Sequence, residues 1–277
     1  MLTLETLTAL QEAKAIEAAQ KALAFAHQDS NDLTALPSDY KLHDLEQYLP
    51  NRRRARGTMT TSVLISFAEY SRAHAEGGAS VFINPDSLKA VTVLNLGAPG
   101  APGHADNRVA LELEKTAAYK ALTGIANGAG RSQKDVAEFL EDWQEHVKCF
   151  DDAGEIKTSK AIAAVRKITI ESMRKMESEE QSLSASKSAF ESIQASSKEP
   201  LPTVIYFQCE PYADLDSRLF VLRLGVLTGE STPKVNLRIV KAEQHQEEMA
   251  KELASKIGMQ LTDDGIPVLL GSYSKAQ

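Results

Sequence analysis

Three runs rich in Val, Ile, Leu, Phe and Tyr, at residues 203–209, 217–226 and 234–241, crowd the C-terminal part of the chain behind Pro200 and Pro202. β-branched and aromatic enrichment makes them strands, with turns at residues 211–216 and 229–233. The chain ahead of Pro200 reads as long helical stretches with one group of three strands between them. Helices and strands are therefore segregated rather than alternating in βα units, which selects an α+β fold over a doubly wound one.

The organisation ahead of this sheet follows from periodicity. Residues 4–26 form an alanine-rich helix, in which Leu4, Leu7, Leu10, Ala13, Ile16, Ala19, Leu23 and Ala26 make one apolar stripe. A linker rich in turn residues, 28–39, separates this N-terminal arm (1–30) from a single domain (31–277). Residues 63–73 make an amphipathic helix, broken at Gly77 and Gly78. Strands at 80–84, 89–96 and 108–113 surround the Gly/Pro loop 97–104, an extended, exposed hairpin tip within 80–115. Ser132 with Asp135 caps a helix running to about Lys148, buried through Val136, Phe139, Leu140, Trp143 and Val147.

Residues 158–196 read as one long central helix, with Ile162, Thr169, Met176, Leu183 and Phe190 at heptad spacing. The companion positions are only partly apolar, so the seam is weak. In the sheet region, 200–277, a helix over 243–256 ends at Gly258 and a short strand at 266–270 follows.

Composition narrows the function. The 277 residues carry 31 Lys and Arg against 38 Asp and Glu, a net charge of −7, which excludes a uniformly basic nucleic-acid coat but leaves room for a local basic patch. Arg52, Arg53, Arg54 and Arg56, followed by Gly57, Thr58, Thr60, Thr61 and Ser62, form such a patch and suit bidentate phosphate contacts. Cys149 and Cys209 and the six scattered histidines lack metal-ligand spacing, so no metal or cofactor is expected. The Gly97–Gly103 loop matches neither a Walker A loop nor a dinucleotide fingerprint. Glu138, Glu141, Asp142 and Glu145 read as a solvated acidic helix face. No catalytic motif is found. The start of the chain lacks the pattern of a signal peptide, and no segment is apolar enough to span a bilayer, which points to the cytoplasm and away from membranes.

Three stretches carry a resemblance. They are Arg52-Arg53-Arg54-Ala55-Arg56-Gly57 leading to Ser66-Phe67-Ala68-Glu69-Tyr70, then Arg131-Ser132-Gln133-Lys134-Asp135-Val136-Ala137-Glu138-Phe139-Leu140-Glu141-Asp142, and Leu201-Pro202-Thr203 through Arg218-Leu219-Phe220-Val221-Leu222-Arg223-Leu224 to Gly271. In this order they resemble the YfdQ-like family of phage- and prophage-encoded proteins of uncharacterised function. The resemblance implies a bacterial host cell and supplies no catalytic residues.

The leading expectation is a non-enzymatic accessory protein acting as a self-assembling homo-oligomer, in a ring or a shell. The order arm, hairpin, long helix and sheet is similar to the shell fold of tailed-phage capsids. Leu7, Leu10, Ile16, Leu23, Pro99, Pro102, Met176 and Leu183 are its candidate interface. The alternatives are a nucleic-acid-associated factor in phage recombination or defence evasion, using Arg52–Arg56 on DNA, and a nucleotide-binding or enzymatic protein with a pocket no motif reveals. Another phage protein is a further candidate partner.

Overall fold

A computed structural model describes residues 3–28, 46–151, 153–168, 201–227 and 234–274. The chain falls into two compact units, Met1–Ala55 and Arg56–Gln277. In the first, helix α1 (Leu4–Gln28) starts where Thr3 and Thr6 exchange backbone N–H to side-chain oxygen bonds, and a single 3-10 turn follows at Glu46–Tyr48. The expected single stripe on α1 is corrected here. Residues three apart fall about 60° short of a full helical turn, so Leu4, Leu7, Leu10, Ala13 and Ile16 wind around the helix rather than line one face. Leu4, Leu7, Leu10 and Ile16 are accordingly 83, 47, 55 and 55% exposed.

The second unit is α+β, built on two sheets. The five-stranded sheet contains β1 (Gly57–Thr61), β2 (Ser80–Asn84), β3 (Lys89–Val93), β6 (Asn107–Glu112) and β13 (Val268–Leu270), in the order β1-β6-β3-β2-β13. The outer pairs β1–β6 and β2–β13 are parallel and the inner ones antiparallel. Helices α2 (Leu64–His74) and α6 (Ala242–Leu261) cover one face, onto which Val81, Ile83, Ala90, Val109 and Leu111 point from alternate positions. A buried hydroxyl pair, Ser71 Oγ to Thr92 Oγ1 at 2.7 Å, fixes α2 on β3.

The Gly/Pro loop does form a hairpin tip, with the short strands β4 (Gly97–Ala98) and β5 (Ala101–Pro102). Its base is clamped rather than free. Gly97 N–H donates to the Gly77 carbonyl and Gly103 N–H to that of Leu96, while Asn95 bridges to Asp106 and Asn107.

The six-stranded sheet is antiparallel throughout, as expected of the C-terminal region, with the order β7-β12-β11-β10-β8-β9. Its strands are β7 (Arg131–Ser132), β8 (Val147–Asp151), β9 (Gly154–Ile156), β10 (Val204–Cys209), β11 (Arg218–Leu227) and β12 (Lys234–Ile239). Helices α3 (Ala117–Ile125), α4 (Gln133–Asp142) and α5 (Thr158–Arg166) back it on one face. Ile205, Phe207, Phe220, Leu222, Leu224, Val235 and Leu237 fill that interior.

Several elements differ from expectation. The capping box of Ser132 and Asp135 starts α4 as predicted, but the helix ends at Asp142 and residues 147–151 pair with β10. Val147 is buried as expected, in a strand instead of a helix, because the neighbouring strand offers it partners that local periodicity does not reveal. The stretch 58–62, read only as a hydroxyl run, contributes β1. Helix α6 passes through Gly258 to Leu261, since Leu253, Ile257 and Leu261 bury one stripe that outweighs the roughly 1 kcal/mol penalty of a helical glycine. The helix expected over 158–196 stops at Arg166: α5 spans Thr158–Arg166, Lys167 N–H closes its last turn on Ala163 and Ala164, and Ile168 is no longer helical. The rest of that expected helix, with Met176 and Leu183, falls on residues outside the described ones.

Candidate functional site

The hydroxyl run after the arginine cluster reaches an open cleft. β1 is an edge strand, and its end places Thr60, Thr61 and Ser62 beside Ser87, Lys89, Glu112, Leu113 and Glu114 around about 380 Å³. Lys89 and Glu112 face each other across β3 and β6 and form an ion pair at 2.8 Å with both side chains half exposed. Four hydroxyls and one screened pair can hydrogen-bond a small polar molecule. The lining holds no histidine or cysteine to activate a nucleophile.

The arginines themselves are divided. Arg52, Arg53 and Arg54 belong to the first unit and Arg56 to the second. Arg52, Arg53 and Arg56 are exposed and Arg54 is half-buried, while the Arg53 N–H donates to Glu46 Oε1 at 3.2 Å.

A second constellation, at the start of β11, was not visible as a motif. Arg218 donates to Glu248 Oε2 at 3.0 Å and to Glu252 Oε2 at 2.6 Å, both on α6. Lys256 reaches Asp216 at 2.7 Å and the Asp214 carbonyl at 2.9 Å. The Asp214 carboxylate accepts the Leu64 N–H, capping α2 from a distant loop because Val63 has no side chain to do so. Glu248, Glu252 and Lys256, spaced by four on one helix, were the only sequence signal.

Beside this network Tyr119 stacks on Phe220 and meets Tyr212, and His245 leans on the other side of Phe220. Burial pushes the Tyr119 hydroxyl up to about 12 and raises Tyr212 as well. His245 is lowered, by burial first and by Arg218, against the opposing pull of Glu248. Its Nδ1 is buried without a hydrogen-bond partner. These groups are held neutral or clamped, and they brace the loop 210–217 against α6.

The remaining candidates sit apart. Leu7, Leu10 and Ile16 are exposed on α1, and Leu23 lies on the same helix with its side chain outside the described residues. Pro99 and Pro102 are exposed at the hairpin tip. Cys149 and Cys209 are buried thiols, each pushed up to about 12 by desolvation. The acidic face of α4 is solvated, with Glu138 near Lys134 and Glu141 paired to Arg166 at 2.7 Å. Among the described residues no group of three or more His, Cys, Asp or Glu could hold a metal ion, and no helix is long and apolar enough to cross a membrane.

Fold and site together define an α+β protein with two helix-backed sheets, a polar cleft and a braced charge network. The chain belongs to the family of uncharacterised conserved proteins DUF2303, whose family model matches residues 5–273. No curated protein and no solved structure matches it.

Proposed function

We propose that this is a phage- or prophage-encoded, non-enzymatic accessory protein of the bacterial cytoplasm that works as a self-assembling homo-oligomer. One observation motivates it: α1 exposes Leu4, Leu7, Leu10 and Ile16 around its circumference. A helix in water is marginal without packing, and four large apolar side chains on one exposed helix are best buried against copies of the same chain. Because these residues wind around the axis, α1 suits contact with more than one neighbour, as in a ring or a shell. The YfdQ-like sequence stretches support the phage origin.

The test is the mass of nuclease-treated protein by light scattering behind a sizing column, with and without residues 1–30. The expected result is a discrete assembly several times the 30.2 kDa chain mass that is lost on truncation. Monomers in both forms, at 30.2 kDa for the full chain, would end this reading.

A further inference from the structure

The face of the six-stranded sheet turned away from α3, α4 and α5 is unlike the rest of this acidic chain. Alternation along the strands directs Lys148 and Phe150 from β8, Val204 and Tyr206 from β10, Val221 and Arg223 from β11, and Arg238 from β12 to it. Lys148, Arg223 and Arg238 are exposed, and among the described residues none of them has an ion-pair partner. Arg223 and Arg238 are direct register partners, so two like-charged side chains rise from neighbouring strands whose Cα atoms are about 5 Å apart. Such a pair opposes sheet formation. Nothing in the core requires either charge. Between Lys148 and the arginine pair, Tyr206 and Phe150 form a half-exposed ring pair with centroids 4.6 Å apart. Glu155, on the edge strand β9, is the register partner of Phe150 and puts one carboxylate on the same face at its margin.

Unneutralised cations flanking accessible rings on a flat sheet match a polyanion whose charges run beside stackable planes. We propose that this face binds single-stranded nucleic acid. Tyr206 and Phe150 stack bases, while Lys148, Arg223 and Arg238 meet successive phosphates. Because stacking is sequence-tolerant, binding is largely independent of sequence. The face replaces the Arg52–Arg56 cluster as the main phosphate contact. The net charge of −7 is compatible with this, because screening confines the rest of the surface to about 10 Å of influence at 0.1 M salt.

Fluorescence anisotropy of a labelled oligothymidylate about 16 nucleotides long tests the proposal with the full chain. Three phosphate contacts to a single strand predict a log–log salt slope of about −2, or roughly an 18-fold loss of affinity between about 50 and 200 mM salt. Arg223→Ala with Arg238→Ala should flatten the slope to about −0.7. Tyr206→Ala should weaken binding about tenfold with the slope unchanged. The double arginine variant should melt no lower than the parent, because the two charges repel, which separates lost binding from lost folding. No binding by the parent chain at low salt overturns the proposal. So does equal binding by the double variant, or a loss produced only by Arg52→Ala with Arg53→Ala.

Discussion

Arg218 and Glu252 meet at 2.6 Å with only 16 and 14% of their side chains exposed, and the other oxygen of Glu252 accepts the Asp216 N–H at 2.6 Å. One carboxylate thus ties the first residue of β11 and the loop before it to α6. Removing one partner of a buried pair leaves the other desolvated and unpaired. Glu252→Ala should therefore cost about 3 kcal/mol, and Glu252→Gln less, since an amide oxygen still accepts from Asp216. Urea midpoints of the two variants measure the difference. Equal, small losses would mean that the pair is effectively solvated.

Gly78 and Gly97 touch through their backbones. Gly78 has φ +77, and a Cβ there would overlap the Gly97 carbonyl oxygen, which is backbone and cannot swing aside. Gly78→Ala should lose about 2 kcal/mol and speed amide exchange at Gly97, whose N–H bonds to Gly77. Gly100→Ala, with open space around it, is the control and should be nearly silent.

Stability should fall at both ends of the pH range. On the alkaline side the thiols of Cys149 and Cys209 ionise near 9.0 when unfolded and near 12 when folded. The unfolded chain therefore gives up protons first. The thiols' contribution is fully present below pH 9.0 and is lost as pH rises through 12, with Tyr119 adding the same trend from 10.0. Each group contributes a slope of about 1.4 kcal/mol per pH unit inside its window. On the acid side His245 is held neutral, so the unfolded chain protonates first and stability drops as pH falls through 6.5. Denaturant melts across pH should show the alkaline loss reduced in a Cys149→Ala, Cys209→Ala variant and the acid loss reduced in His245→Phe.

The same burial predicts slow thiol chemistry. With both cysteines buried, a thiol reagent such as 5,5′-dithiobis(2-nitrobenzoate) should label the native chain slowly and the urea-unfolded chain promptly. Rapid native labelling at one site would show that β8 or β10 opens locally.

Ser132 and Asp135 bond reciprocally across the first turn of α4, Asp135 N–H to Ser132 Oγ at 3.1 Å and Ser132 N–H to Asp135 Oδ2 at 3.2 Å. Ser132→Ala should lower stability by about 1 kcal/mol, with Ser132→Asn retaining most of it. Thermal melts of the pair give the comparison.

Where side-chain chemistry acts within a few residues, the sequence was legible. The Ser132–Asp135 cap, the amphipathic helix at α2, the strands β10, β11 and β12 and the Gly/Pro hairpin tip all follow from local spacing, turn residues and β-branching. The end of α4 was not legible, because Val147 and Cys149 suit a helix face and a strand equally until β10 lies beside them. Nor was the three-residue spacing on α1 a stripe once the helical angle is applied.

The sequence by itself determined the class of fold, the positions of most elements and the acidic overall balance, since these depend on periodicity and composition. Tertiary structure alone decided which distant residues share a surface. Lys148, Tyr206, Arg223 and Arg238 lie on four strands, Lys148 more than fifty residues before the others, and only strand order and register bring them to one face. The same holds for Arg218 with Glu248 and Glu252, and for Thr60 with Lys89 and Glu112. Pairing between strands is set by the packing of both sheets on their helices, and a one-residue slip of a strand would send its side chains to the opposite face.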